Sequence, residues 1–181
     1  YQVAQIFYSN TDWPGKNTAI WRYKTEQYEP DAPYGQDGRW RWMMFDTDFG
    51  FGYAHGTAGD FNSMEHATGS RGPLLRGLLQ NSTFRRQFIN TFADHLNSSF
   101  KLERIIAMID HFEAVLEPEI AEHQLRWGNP GRTVEEWKQN VNKMRIWAEN
   151  RHKYVWTMIA DYFNLAGTVT VTLNSDLEAG Y

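Results

Sequence analysis

The chain has 181 residues, 41% of them hydrophobic and 15% aromatic, with a formal net charge of −4. That length supports one domain with a real core but is short for a two-lobed enzyme, and the aromatic content, with eight tryptophans, excludes a disordered chain. The acidic balance argues against a general nucleic-acid binder, no run is long and apolar enough to span a membrane, and the lack of cysteine excludes disulfides and thiolate chemistry.

The first residues, Tyr1-Gln2-Val3-Ala4-Gln5-Ile6-Phe7-Tyr8, read as the middle of a packed element with no charged leader. The expectation is therefore of a piece of a longer protein. The first third reads as β-rich and crowded with Gly, Trp and Tyr. Residues 18–24 and 39–45 carry the β-branched and aromatic content of strands. Pro30, Pro33, Gly35 and Gly38 between them mark a long hairpin loop.

From Pro73 onward the period becomes helical. Phe84, Phe88, Phe92 and Leu96 recur every four residues and share one helix face. Leu102, Ile105, Ile106, Ile109, Phe112, Leu116 and Ile120 make a second stripe, broken by Trp127-Gly128-Asn129-Pro130-Gly131. Thr133 and Glu136 have the spacing of a capping box, and Trp137, Val141, Met144, Ala148, Val155 and Ile159 continue as a third helix. Core packing accounts for all three stripes. After Gly167, Thr168 to Leu173 alternates strictly, as the first strand of a following β module would. The fold class expected is α+β, mainly helical, with one domain over 1–166 and the start of a β module over 167–181.

Two short segments carry chemistry: Asn10-Thr11-Asp12-Trp13-Pro14-Gly15-Lys16-Asn17 and Phe45-Asp46-Thr47-Asp48-Phe49-Gly50-Phe51-Gly52. If 18–24 and 39–45 pair as a hairpin, its open ends place Thr18 opposite Phe45 and Asn17 opposite Asp46. Opposed residues stand about 5 Å apart. An amide oxygen and the carboxylates of Asp46 and Asp48 then gather at one sheet edge, a set of hard oxygen donors that suits Mg²⁺. In protein kinases Asp-x-x-x-x-Asn supplies a base and a metal-binding amide, and Asp-Phe-Gly a further metal ligand. Asp12 to Asn17 and Asp48-Phe49-Gly50 occur in that order, with a hairpin between. Each segment also has a plainer reading: Asp12 and Asn17 as turn residues, Asp46 and Asp48 as the end of a strand. The six histidines show no tight metal-ligand spacing. His66 and Arg71, in the Gly-rich stretch after Asp48-Phe49-Gly50, are candidates for substrate or phosphate contact.

These segments, with Trp21-Arg22 and Gly38-Arg39-Trp40-Arg41-Trp42, resemble the CotH (spore coat protein H) kinase family, and the resemblance extends through Leu78-Leu79-Gln80-Asn81, Phe84-Arg85, His123 and Arg126-Trp127. It implies an atypical kinase-like C-terminal lobe whose hairpin carries the metal site. It further implies phosphoryl transfer from ATP, with Mg²⁺ or Mn²⁺, to Ser or Thr hydroxyls of a protein. Carried over by position, Asp12 is the catalytic base, Asn17 and Asp48 are metal ligands, and Asp46 is a second carboxylate at the same edge. The protein partner would be a surface or coat protein, and the setting a bacterial envelope or secreted one. Three departures stand out. Asn10-Thr11 occupies the place of the usual His-Arg, the span from Asp12 to Asp48 is long, and no glycine-rich loop or strand-borne lysine precedes the motifs. The 181 residues alone are thus expected to be inactive. Two other readings remain open: a glycosyltransferase using Asp46-Thr47-Asp48 as a metal-binding Asp-x-Asp, and a non-catalytic kinase-like module for surface or coat assembly.

Overall fold

A computed structural model describes residues 1–128 and 133–172. The described chain is mainly helical with one small antiparallel sheet, in the order α1 (Gln2–Tyr8), β1 (Ala19–Trp21), β2 (Arg41–Met43), α2 (Ser63–Thr68), α3 (Pro73–Leu78), α4 (Ser82–Leu96), α5 (Leu102–Trp127) and α6 (Val134–Phe163), with a 3₁₀ turn at Gly56–Ala58. The expectation of an α+β, mainly helical fold holds in that form. The β-rich first third does not, because each strand is three residues long and the chain opens on a helix.

The α1 helix forms although its sequence is rich in Tyr, Val, Ile and Phe, residues that favour strands. Seven residues cannot hold a helix alone. Burial does so here: Val3, Gln5, Ile6 and Phe7 are all buried, and Phe7 stacks on Phe100 with centroids 4.2 Å apart. The helix ends at Ser9, in the left-handed region at φ 55.

The core joins α1 to α2, α3, α4 and the second half of α6. Phe88, Phe92 and Leu96 of the first predicted stripe are buried, beside Met64, Leu75, Val155, Met158 and Ile159. Burying each large apolar side chain contributes roughly 1.5–3 kcal/mol. Two caps expected of such helices are in place. The Asn81 side chain accepts from Phe84 N at 3.0 Å, and the Thr133 hydroxyl accepts from Glu136 N at 3.1 Å, as the capping-box spacing predicts.

The second stripe is only partly core. Ile109 and Ile120 of α5 are buried, whereas Phe112 and Leu116 are 53% and 49% exposed. The antiparallel α5 and α6 meet along one side, and Arg145 of α6 forms ion pairs with Asp110 and Glu113 of α5. Phe112 and Leu116 instead border an open apolar cleft of about 570 Å³, with Phe100 and Trp137 among its walls. Residues 165–172 form no regular element, so Thr168 to Thr172 are not a strand here. Leu173 and the remainder of the expected β module lie outside the described residues.

The hairpin is shorter than its sequence suggests because its loop folds back on it. Asp37, buried, accepts from Arg39 at 2.6 Å and from Arg41 at 2.7 and 2.9 Å. Arg41 in turn lies over the rings of Trp21 and Tyr34. The Arg41 hydrogen bond is the chief reason the Asp37 carboxyl sits well below the ordinary carboxylate range. On the other face Trp42 stacks on Tyr1 at 4.9 Å and so ties the sheet to α1.

Candidate active site

The register of the hairpin differs by one residue from the expected one. Ala19 pairs with Met43, Ile20 with Trp42 and Trp21 with Arg41, a frame that faces Asn17 toward Phe45 rather than Asp46. Pairing stops before either acidic loop. Asn17 and Asp46 each leave the ladder in the left-handed conformation, at φ 51 and 50, a region in which Asn and Asp are enriched among non-glycine residues. Two turns, rather than ladder pairing, swing the polar side chains together.

The four predicted residues do meet. Asn17 Nδ2 donates to Asp12 Oδ2 at 3.3 Å. Asp46 and Asp48 share a side-chain hydrogen bond, and Asp46 also feels the Asp12 charge and an Asn17 hydrogen bond. The Asp46 carboxyl is held above its ordinary range. The shared hydrogen bond with Asp48 is the largest cause, followed by partial desolvation and the negative charges of Asp48 and Asp12, while Asn17 pulls the other way. The direction follows from like charges, which resist ionising side by side.

Among the described residues, no three His, Cys, Asp or Glu side chains are arranged as a ready-made metal cage. The donor set at this edge is of another kind: an amide oxygen and carboxylates on two loops, half-buried to exposed. Mg²⁺ is ordinarily held by one or two carboxylates together with substrate phosphates and water rather than by an all-protein cage. Asn17, Asp46 and Asp48 fit that demand in donor type, and none of the three is buried.

What fixes the loops was only partly legible. Asn10, 1% exposed, donates from one amide nitrogen to Gln5 Oε1 at 2.9 Å and to the Asp46 carbonyl at 3.4 Å, while its Oδ1 accepts from Asp12 N at 3.3 Å. One side chain thus joins α1 to both acidic loops. Lys16 N donates to the Asp12 carbonyl at 2.8 Å and closes the first loop, which contains a cis Trp13–Pro14 bond. The second loop is pinned where Phe51 N donates to the Tyr8 carbonyl at 2.9 Å. Gly50 permits this approach, since a Cβ there would lie 3.0 Å from the same carbonyl oxygen. His66 contacts the Trp13 carbonyl through Nε2 at 2.7 Å, so it braces the first loop. Arg71 lays its stem against Gly15.

Arg151 of α6 was missed by sequence reasoning. It is fully buried, and its guanidinium donates to the carbonyls of Ile6, Phe7, Gly59 and Phe61 and to the Ser63 hydroxyl. It ties the end of α1, just before the first acidic loop, to the segment after the second. Burial lowers its pKa to about 10. Its only sequence signal is a cation one residue after Asn150 on an otherwise periodic helix, with Ala148 and Val155 on either side marking the buried face.

The described chain is thus a helical body presenting an Asp–Asn loop, a β hairpin and a second acidic loop, in that order. The family model described as CotH kinase protein matches residues 1–155, and the chain belongs to that family. Membership makes it a kinase-type protein at the level of the family. No curated protein and no solved structure matches it.

Proposed function

We propose that the acidic edge transfers the γ-phosphoryl group of ATP to Ser or Thr hydroxyls of a protein, as part of an atypical kinase-like C-terminal lobe. The observation that carries this reading is the convergence of Asp12, Asn17, Asp46 and Asp48 from two loops that sequence separates by a whole hairpin. Asp12 accepts the acceptor hydroxyl's proton as the hydroxyl oxygen attacks the γ-phosphorus, the bond from that phosphorus to the bridging oxygen breaks, and ADP leaves. Asn17 and Asp48 hold a divalent cation, Mg²⁺ or Mn²⁺, and Asp46 adds a second carboxylate. The cation, when bound, neutralises charge on the phosphates. Asn17 also orients the Asp12 carboxylate through their hydrogen bond. Asn10 and Arg151 hold both loops in register without touching the reacting atoms.

The same proposal includes a coat or surface protein as acceptor, an envelope or secreted setting, and a division at 166 between this lobe and a β module. Thermal unfolding with Mg·ATP and with Mn·UDP-sugar tests the choice of nucleotide. Stabilisation of the intact protein by ATP, lost in Asp48→Ala, is the expected result. Stabilisation by the UDP-sugar alone would favour an Asp-x-Asp glycosyltransferase, and stabilisation by neither a binding module.

A further inference from the structure

A second cavity lies beside the acidic edge and is not used by that chemistry. It is about 210 Å³ and is walled by Trp13, Pro14, Trp42, Ala67 and Leu74, with Arg71 on its rim. Its floor is built from core residues, for Trp13 and Ala67 are 2% and 0% exposed. A cavity of this size is smaller than the roughly 300–1,000 Å³ of small-molecule sites, so it suits one apolar side chain rather than a nucleotide.

The loop carrying Arg71 is held in place. Arg76 donates to the carbonyls of Thr68 and Gly69 at 3.0 and 2.8 Å. Gly72 lies so close to α2 that a Cβ there would overlap the Ala67 carbonyl. The Arg71 stem rests against Gly15, its Cδ 2.9 Å from where a Cβ would stand. Arg71 forms no hydrogen bond or ion pair with any described residue. It is a positioned cation without an anion among the described residues, next to an apolar hole whose wall residue Pro14 stands two residues along the chain from the proposed base.

We propose that this cavity receives an apolar side chain of the acceptor protein and that Arg71 pairs with an acidic side chain beside it. The inference rests on the phosphoryl-transfer reading. Pro14 lies two residues after Asp12, within about 7 Å along the chain. In an extended peptide, residues two apart face the same side at a similar spacing. The apolar residue therefore stands about two positions from the Ser or Thr hydroxyl that meets Asp12. The guanidinium fork selects a carboxylate or a phosphate over an amide. The acceptor class is thus a Ser or Thr in an acidic and apolar segment.

The test measures binding of fluorescent peptides to the 181-residue chain by anisotropy. Each peptide has a central Ser, a Leu two residues away on either side and an adjacent Asp. Control peptides replace Leu by Ala, or Asp by Ala, Lys or phosphoserine. The Leu and Asp peptide should bind roughly tenfold more tightly than either Ala control, a difference of about 1.4 kcal/mol. Arg71→Glu should reverse the preference toward Lys, and Leu74→Ala should weaken only the Leu-dependent part. Both residues are exposed, so neither change removes core. Equal binding of all peptides, or a preference unaltered by Arg71→Glu, would overturn the proposal. Tighter binding of phosphoserine than of Asp would replace the acidic side chain by an already phosphorylated acceptor. Selective binding by an intact protein that transfers no phosphate would sink the enzyme reading and leave the pocket standing. Transfer without selectivity would do the reverse.

Discussion

Replacing Arg151 by Met removes the tie between the end of α1 and the segment after the second acidic loop while keeping much of the side-chain volume. The cost can be worked from the acceptors left behind. The Ile6 carbonyl still receives Ser9 N and the Ser63 hydroxyl, and the Phe61 carbonyl still receives Ser63 N. The Phe7 and Gly59 carbonyls have no donor other than Arg151 among the described residues. Each orphaned buried carbonyl costs about 1–3 kcal/mol, so the substitution should destabilise by about 2–6 kcal/mol. Against a total stability of about 5–15 kcal/mol, that is a large fraction. Arg151→Lys keeps a charge but not the planar fork, and should recover little of the loss. Urea unfolding, followed by the fluorescence of buried Trp13 and Trp147, reads the difference. A loss below about 1 kcal/mol for Arg151→Met would refute the reasoning, because it would mean that both carbonyls find other donors.

Asp46→Asn should raise the melting temperature of the metal-free protein at neutral pH, since it removes one of three crowded carboxylates. It should also weaken Mg²⁺ or Mn²⁺ binding by at least the roughly 10–100-fold that loss of an outer-shell partner costs, measured by calorimetry. The pH dependence has a defined sign. A carboxyl whose folded pKa is raised contributes stability that is fully present below its unfolded pKa and is lost as pH rises through the folded value. Melting scans of wild type across the acidic range should show that loss, and Asp46→Asn should lack it. Metal affinity should rise over the same interval as the Asp46 proton leaves. Gly52→Ala should destabilise by more than about 1 kcal/mol by denaturant unfolding, because Gly52 has φ 82 and a Cβ there would meet the Gly56 carbonyl and the Trp147 ring.

The acidic edge was legible because its chemistry resides in short segments whose order survives any error in secondary structure. Asp12, Asn17, Asp46 and Asp48 converge even though the strands between them are three residues long and one position out of the expected register. The error came from assuming that pairing runs to the strand ends, whereas Asn17 and Asp46 turn out of the ladder. The helices after Pro73 were readable from period and caps. The α1 helix was not, because its residues prefer strands and only its surroundings make it helical. Phe112 and Leu116 show the converse: the apolar period of α5 is regular, but α6 covers only part of it. Arg151 and Asn10 could not be assigned from sequence, because their partners are backbone groups supplied by distant segments.

The measurement that tests the account most directly is γ-phosphate transfer from ATP to a Ser- and Thr-containing protein acceptor by the intact protein, with Mg²⁺ or Mn²⁺. The account predicts metal-dependent transfer that Asp12→Ala lowers by roughly 10²–10⁴-fold and Asp48→Ala abolishes, both variants remaining folded. Full activity in Asp12→Ala, or no transfer and no ATP binding by the intact wild-type protein, would contradict it.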